Sequence, residues 1–303
     1  MKRFLVLLAV LMLCLPALAE EPDLTAEGFL SPEWLEDEYV HADSEAGLWR
    51  YVTPSLSIRI DRIVDEETPR IYYVADILAS EETPLKTVIS PGKHPGRALK
   101  NPQSFAIENN AVLAITDDFS GYRIQKDQRV GIVIREGYVL SSKTRNSKNV
   151  RSWPNLDTLA VYSDGSMKAG LSDVYTADEY LADGAVNVFA FGPMLLHEGV
   201  ITDYVLEEDY YPYNEPRMAI GMIEPYHYII LCVEGRDDGS KGARCSWMAQ
   251  TMQELGCVEA LNLDGGGTAA MMFMGEVLNR STKSMRSINS LIVFGQSELV
   301  GAE

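Results

Sequence analysis

The sequence predicts an α+β protein built on largely antiparallel mixed sheets with few helices. Three observations carry that expectation. Short runs rich in Ile, Val and Tyr recur from Leu56 onward, many of them alternating apolar and polar residues, the period of a strand. Turn residues separate neighbouring runs closely enough for hairpins, with Asp164-Gly165 the strongest such signal. Only Cys245 to Leu255, closed by Gly256, reads as a helix of more than two turns, and strands and helices do not alternate as a doubly wound fold requires.

Residues 1–19 read as a signal peptide. Lys2 and Arg3 supply the charged start, Phe4 to Leu15 the apolar stretch, and Ala17-Leu18-Ala19 the cleavage site. The apolar run is shorter than the ~20 residues that span a bilayer, so secretion or the cell envelope is the expected destination, with no membrane span in the mature chain. Residues 20–84 are expected to form an N-terminal lead-in segment and the first strands. Of these, the acidic stretch to about Arg50 reads as surface chain, and Leu56 to Val64 and Arg70 to Leu78 as a hairpin. The main domain is expected over 85–297.

Within that domain Lys86 to Ile89 and Ala111 to Ile115 read as strands, the second ending in Thr116-Asp117-Asp118-Phe119. Hairpins follow at Glu136-Gly137 and Asp164-Gly165. Thr176 with Glu179 three residues on forms a helix-capping pattern. Val186 to Phe191 is a strand ending in Gly192-Pro193. Tyr204 to Pro216 is a polar-aromatic loop, suited either to packing on its own side chains or to stacking on sugar rings. Arg217 to Ile223 and Tyr226 to Val233 form a hairpin, and Ser287 to Phe294 a last strand.

Composition excludes several function classes. Lys and Arg number 26 against 44 acids, a net charge of −18, and loss of the leader removes two more basic residues. So acidic a chain repels nucleic acid and anionic membranes, although a local arginine cluster can still hold an anionic substrate. The four histidines, His41, His94, His197 and His227, have no zinc-ligand spacing, and no Cys-x-x-Cys occurs. No metal site or cofactor is demanded; the acids leave a Ca²⁺ ion open. Three cysteines remain after the leader, an odd count that leaves at least one thiol unpaired.

The chemistry is expected at strand ends in the C-terminal half. Val258 to Leu263 ends on Asp264, Gly265, Gly266, Gly267 and Thr268. Three successive glycines fit either a tight turn or a concavity of backbone N–H groups that binds an anion. Arg217 opens one strand, Glu234, Arg236 and Asp237 follow the end of the next, and Asn279, Arg286 and Asn289 lie behind the glycines. If these strands are neighbours, the groups share one sheet edge. Arginine offers a fork that matches phosphate, and carboxylates supply acid, base or nucleophile.

These motifs carry a resemblance. Arg217-Met218-Ala219-Ile220-Gly221, then Val233-Glu234-Gly235-Arg236 with Gly242, then a helix, then Ala260-Leu261-Asn262-Leu263-Asp264-Gly265-Gly266-Gly267-Thr268, then Arg286-Ser287-Ile288-Asn289-Ser290-Leu291 resembles the phosphodiester glycosidase family. The likeness runs roughly from Leu85 to Phe294 and is strongest from Arg217 onward. Phe191-Gly192-Pro193-Met194-Leu195 is similar to the family's Gly-Pro turn. Where the family carries an Asn-Gly-Gly turn after an early strand, this chain has Thr116-Asp117-Asp118. The resemblance implies hydrolysis of a sugar-1-phosphodiester, with a sugar-phosphate or glycan as substrate, in the setting of exopolysaccharide or envelope glycans.

On that reading Asp264 is the first catalytic candidate, with Glu234 and Asp237 behind it. Arg217, Arg236, Gly265, Gly266, Gly267, Thr268, Asn279, Arg286 and Asn289 are candidates for substrate binding. Asp117 and Asp118 are expected to face the substrate and to alter its selection. The alternative is a non-catalytic envelope protein that binds anionic glycans in the same place.

Overall fold

A computed structural model describes residues 21–128, 130–143, 154–207, 211–279 and 285–302. The leader expected at 1–19 lies outside the described residues. Three sheets form the body, and every pairing between described strands is antiparallel. The largest runs in the spatial order Tyr39–Asp43, Leu48–Val52, Ser57–Asp65, Arg70–Leu78, His227–Val233, Arg217–Glu224, Glu259–Asn262, Met194–His197 and Val200–Ile201. A second contains Met167–Gly170, Asp157–Tyr162, Ala185–Phe191, Ile132–Arg135 and Tyr138–Ser142. The third contains Glu276–Val277, Met271–Phe273, Ala111–Thr116, Ser290–Gln296 and Lys86–Ile89.

One apolar core joins all three. Ile58, Ile77, Ile220, Ile230 and Leu261 of the large sheet meet Leu159 and Phe189 of the second and Ile115, Phe273 and Ile292 of the third. The opposite face of the large sheet is covered by the helix Cys245–Glu254, whose Met248, Ala249 and Met252 pack on Ala219, Leu231, Val233 and Ala260. The central strands are thus buried on both faces. That is why Met218 to Met222 and Ile229 to Val233 read as continuous apolar runs rather than alternating ones.

Local signals fix the connections. Gly165 takes φ +78° in its hairpin, and Thr176 and Glu179 form a reciprocal capping box on the short helix Ala177–Ala182. Two features differ from expectation. Residues 39–52 form a hairpin that extends the large sheet and sends Trp49 and Tyr51 into the core, where a surface lead-in was expected; the surrounding acids mask the short alternation of Leu48 to Val52. The short helix Ser120–Gln125 follows Phe119, which takes φ +47°. Cys232, Cys245 and Cys257 are unpaired and buried in or beside the large sheet. Among the described residues no helix is long and apolar enough to cross a membrane.

Candidate active site

The hydrogen-bond register of the large sheet places the predicted groups at one edge. Arg217, at the start of its strand, pairs with Val233 at the end of the next, and Ala219 pairs with Asn262 at the end of the third. Antiparallel neighbours therefore bring Arg217, the Gly235–Gly242 loop and the glycine loop together. An open cleft of about 160 Å³ lies there, lined by Phe191, Tyr211, Glu215, Arg217, Arg236, Asp264, Gly265, Gly266 and Arg286. Three guanidinium groups and two carboxylates share it, a local cationic excess on a chain of net charge −18.

Asp264 is the buried carboxylate of the cleft, 9% exposed. Its backbone N–H donates to the Asp117 carbonyl at 3.2 Å, and its Oδ1 accepts from the Gly265 N–H at 3.0 Å. Burial pushes its pKa up to about 6, against the opposing pull of the Thr268 hydrogen bond and of Arg123 and Arg286. Near neutral pH it is an ionised carboxylate held at a desolvation cost.

Each arginine is anchored differently. Arg217 is buried, donates from Nε to the Ala243 carbonyl at 3.0 Å and from Nη2 to the Tyr213 carbonyl at 3.2 Å, and lies 5.0 Å from the Tyr211 ring. Arg236 takes φ +66° and pairs through Nε with Glu215 Oε2 at 2.5 Å. Its Nη2 stands 3.2 Å from where a Cβ on Gly266 would be, so the left-handed turn folds the guanidinium back over the glycine loop. Arg286, exposed like Arg236, reaches Thr268 Oγ1 at 3.5 Å while its N–H donates to the Gly267 carbonyl.

The glycines serve packing. A Cβ on Gly265 would sit 2.4 Å from the Pro216 carbonyl oxygen, which accepts from the Gly266 N–H at 2.8 Å. The Thr268 N–H donates to the Gly265 carbonyl, and the Gly265 N–H is taken by Asp264. The N–H groups of Gly265, Gly266 and Thr268 thus satisfy protein oxygens. Of the two readings that three successive glycines allow, these bonds favour the tight turn, pressed against the Pro216 segment. Gly265 and Gly266 line the cleft, whereas Gly267 and Thr268 do not.

Several other candidates lie elsewhere. Asp117 and Asp118 are fully buried, and both accept from Arg135 Nη2, at 3.0 and 2.8 Å. Asp118 Oδ2 also accepts from the Ala190 N–H, and Asp117 Oδ2 from Ser290 Oγ. The expectation that these acids face the substrate is therefore corrected: a buried guanidinium, 0% exposed, holds them inside. Burial pushes the Asp117 carboxyl up, with Arg135 opposing and Asp118 adding.

Glu234 accepts from the Tyr73 hydroxyl, and Asp237 Oδ1 closes its own loop by accepting from the Gly239 and Ser240 N–H groups. Neither lines the cleft with Asp264. Asn279 ties Met271 N–H to the Ala269 carbonyl, and Asn289 ties Gly121 N–H to the Gly96 carbonyl; both are buried braces rather than cleft residues.

Sequence reasoning missed Glu215 and Phe191. The only signal for Glu215 was its place two residues before Arg217. Among the described residues no group of three His, Cys, Asp or Glu side chains is arranged to hold a metal ion.

Comparison with known proteins shows the family and the fold. The Bacillus subtilis (strain 168) SPbeta prophage-derived uncharacterized protein YomE is 27% identical over 177 residues, 58% of this chain and 26% of that protein, so the chain spans about a quarter of that relative's length. The zebrafish N-acetylglucosamine-1-phosphodiester alpha-N-acetylglucosaminidase catalytic domain, auto-inhibited by its pro-peptide, shares the fold with a TM-score of 0.60 at 17% identity, covering 86% of this chain and 89% of that one. A hypothetical protein from Synechocystis shares it with a TM-score of 0.58 at 15% identity, covering 81% and 63%. The phosphodiester glycosidase model matches residues 109–295, a stretch that contains every residue lining the cleft, and the chain belongs to that family.

Proposed function

We propose that the cleft hydrolyses a sugar-1-phosphodiester, breaking the bond between the anomeric carbon and a phosphate oxygen. The observation that carries this reading is the meeting of Asp264 with Arg217, Arg236 and Arg286 in one cleft of an otherwise strongly acidic chain. A phosphate ester leaves as a stable anion and needs little general-acid help; it needs its charge held, which forked guanidinium groups do well. The oxocarbenium-like sugar needs a carboxylate beside it, as nucleophile or as base for water, and ionised Asp264 supplies one. Tyr211 and Phe191 offer apolar faces to a sugar ring. The zebrafish neighbour's name describes action on an N-acetylglucosamine-1-phosphodiester, which supports the substrate class. With the leader read at 1–19, the site of action is outside the cytoplasm, on exopolysaccharide or envelope glycans.

The test is release of reducing sugar from a UDP-sugar and from a sugar-phospho-sugar, with Asp264→Asn as the control. Turnover by the wild type and none by the variant is expected. Binding of the diester without turnover would instead favour a glycan-binding protein.

A further inference from the structure

We propose that Arg123 is a positioning residue that holds Asp264 in its carboxylate form from the buried side of the cleft. This rests on the reading of Asp264 as the working carboxylate. Arg123 belongs to the short helix Ser120–Gln125, is buried, and does not line the cleft. Its guanidinium lies 5.5 Å from the ring of Phe191, which does. Nη2 donates to the Ala190 carbonyl at 3.2 Å and to the Asp118 carbonyl. The Asp117 carbonyl beside it receives the Asp264 N–H. One turn of backbone therefore fixes both Arg123 and Asp264.

The remaining groups show where the Arg123 charge acts. Arg135 uses Nη2 on both Asp117 and Asp118, so those two carboxylates already share a guanidinium. Arg123 has no such pair among the described residues, where its buried Nε and Nη1 meet no hydrogen-bond acceptor. Burial lowers the Arg123 pKa, with Arg135 adding, and the carboxylates that oppose this by their attraction are Asp118, Asp264 and Asp117. Of the three acids only Asp264 lines the cleft. Arg286 and Thr268 act on it as well, while Arg123 does so out of the substrate's reach. Removing Arg123 leaves Asp264 with Thr268, Arg286 and the Gly265 N–H as the groups that favour its charged form.

The test needs no substrate. Protein carrying ¹³C-carboxyl aspartate is titrated by NMR, with the Asp264 signal assigned by its loss in Asp264→Asn and that of Asp117 by its loss in Asp117→Asn. In Arg123→Gln the Asp264 midpoint should rise by on the order of one pH unit or more. In Arg123→Lys it should stay near the wild-type value. An unchanged midpoint in folded Arg123→Gln overturns the proposal. Should that variant not fold, the Arg123 Nε–H resonance of the otherwise wild-type protein is followed instead. It should move at the Asp264 midpoint and lose that step in Asp264→Asn; a step that survives there overturns the proposal equally. An inactive wild type whose Asp264 midpoint still answers to Arg123 would refute the proposed hydrolysis and leave this inference standing.

Discussion

Replacing Asp264 by asparagine removes a charge that the fold holds against its solvation. The native carboxyl sits near pKa 6 and its ordinary value is 3.8, a rise of roughly two pH units. At ~1.4 kcal/mol per unit that is a penalty of about 3 kcal/mol at most. Asparagine keeps an acceptor for the Gly265 N–H but loses the stronger bond from Thr268, so a net gain of about 1–2 kcal/mol at neutral pH is expected. The sign follows from proton counting. Between about pH 4 and pH 6 the native state binds more protons than the unfolded chain, so wild-type stability falls as pH rises through that window. Above it the penalty is complete; below it the penalty vanishes.

Urea unfolding of the two proteins should therefore give nearly equal stability near pH 4 and a more stable variant from about pH 6.5 upward. The raised Asp117 contributes to the pH dependence of both proteins and largely cancels in the difference. The same variant should release no sugar from a phosphodiester. A variant less stable than wild type at neutral pH, with a pH-independent difference, would refute the claim that burial burdens this carboxylate.

Other outcomes follow from the same geometry. Gly265→Ala keeps an allowed backbone, φ −114° and ψ −153°, yet puts a methyl 2.4 Å from the Pro216 oxygen, so it should lower the melting temperature, at a cost of ~1–3 kcal/mol, and abolish activity by spreading the cleft. Asp118→Asn breaks a fully buried pair with Arg135 and should cost about 3–5 kcal/mol by chemical denaturation. The change Thr116→Asn, Asp117→Gly, Asp118→Gly, attractive from sequence as a way to restore a family turn, should yield insoluble protein rather than a faster enzyme. Arg217→Lys loses its bonds to the Ala243 and Tyr213 carbonyls and should cost on the order of 2 kcal/mol in kcat/KM on phosphodiesters; an equal loss on a neutral aryl glycoside would show the residue to be only a brace.

The sheet edge was legible because its residues follow one another at strand ends, and antiparallel pairing of consecutive strands brings such ends together. Asp264, Arg217 and Arg236 were found this way. Asp117 and Asp118 were misread because nothing near them in sequence reveals the partner. Arg135 is seventeen residues beyond Asp118 on a strand of another sheet, and only the packing of those sheets makes an interior ion pair of what resembles a polar loop. Glu234 and Asp237 erred in the opposite sense. They stand where a catalytic acid is expected, but local bonds turn them to Tyr73 and to their own loop. The glycines were located correctly, yet the reason for three in a row is the Pro216 carbonyl, a neighbour that sequence spacing cannot show.

The three unpaired cysteines have a use of their own. Cys232 lies in the central strand His227–Val233, Cys245 begins the covering helix, and Cys257 precedes the next strand; each is at most 2% exposed, and burial pushes every thiol up, that of Cys257 to about 12. A native molecule offers almost no thiolate to an alkylating agent or an oxidant. Alkylation becomes a clock for the opening of the large sheet, read at one point within it, one at the start of the helix that covers it, and one between that helix and the next strand. If Cys245 and Cys257 react before Cys232, the helix lifts away while the strands stay paired. If all three react together, the site edge and its cover come apart as one cooperative unit.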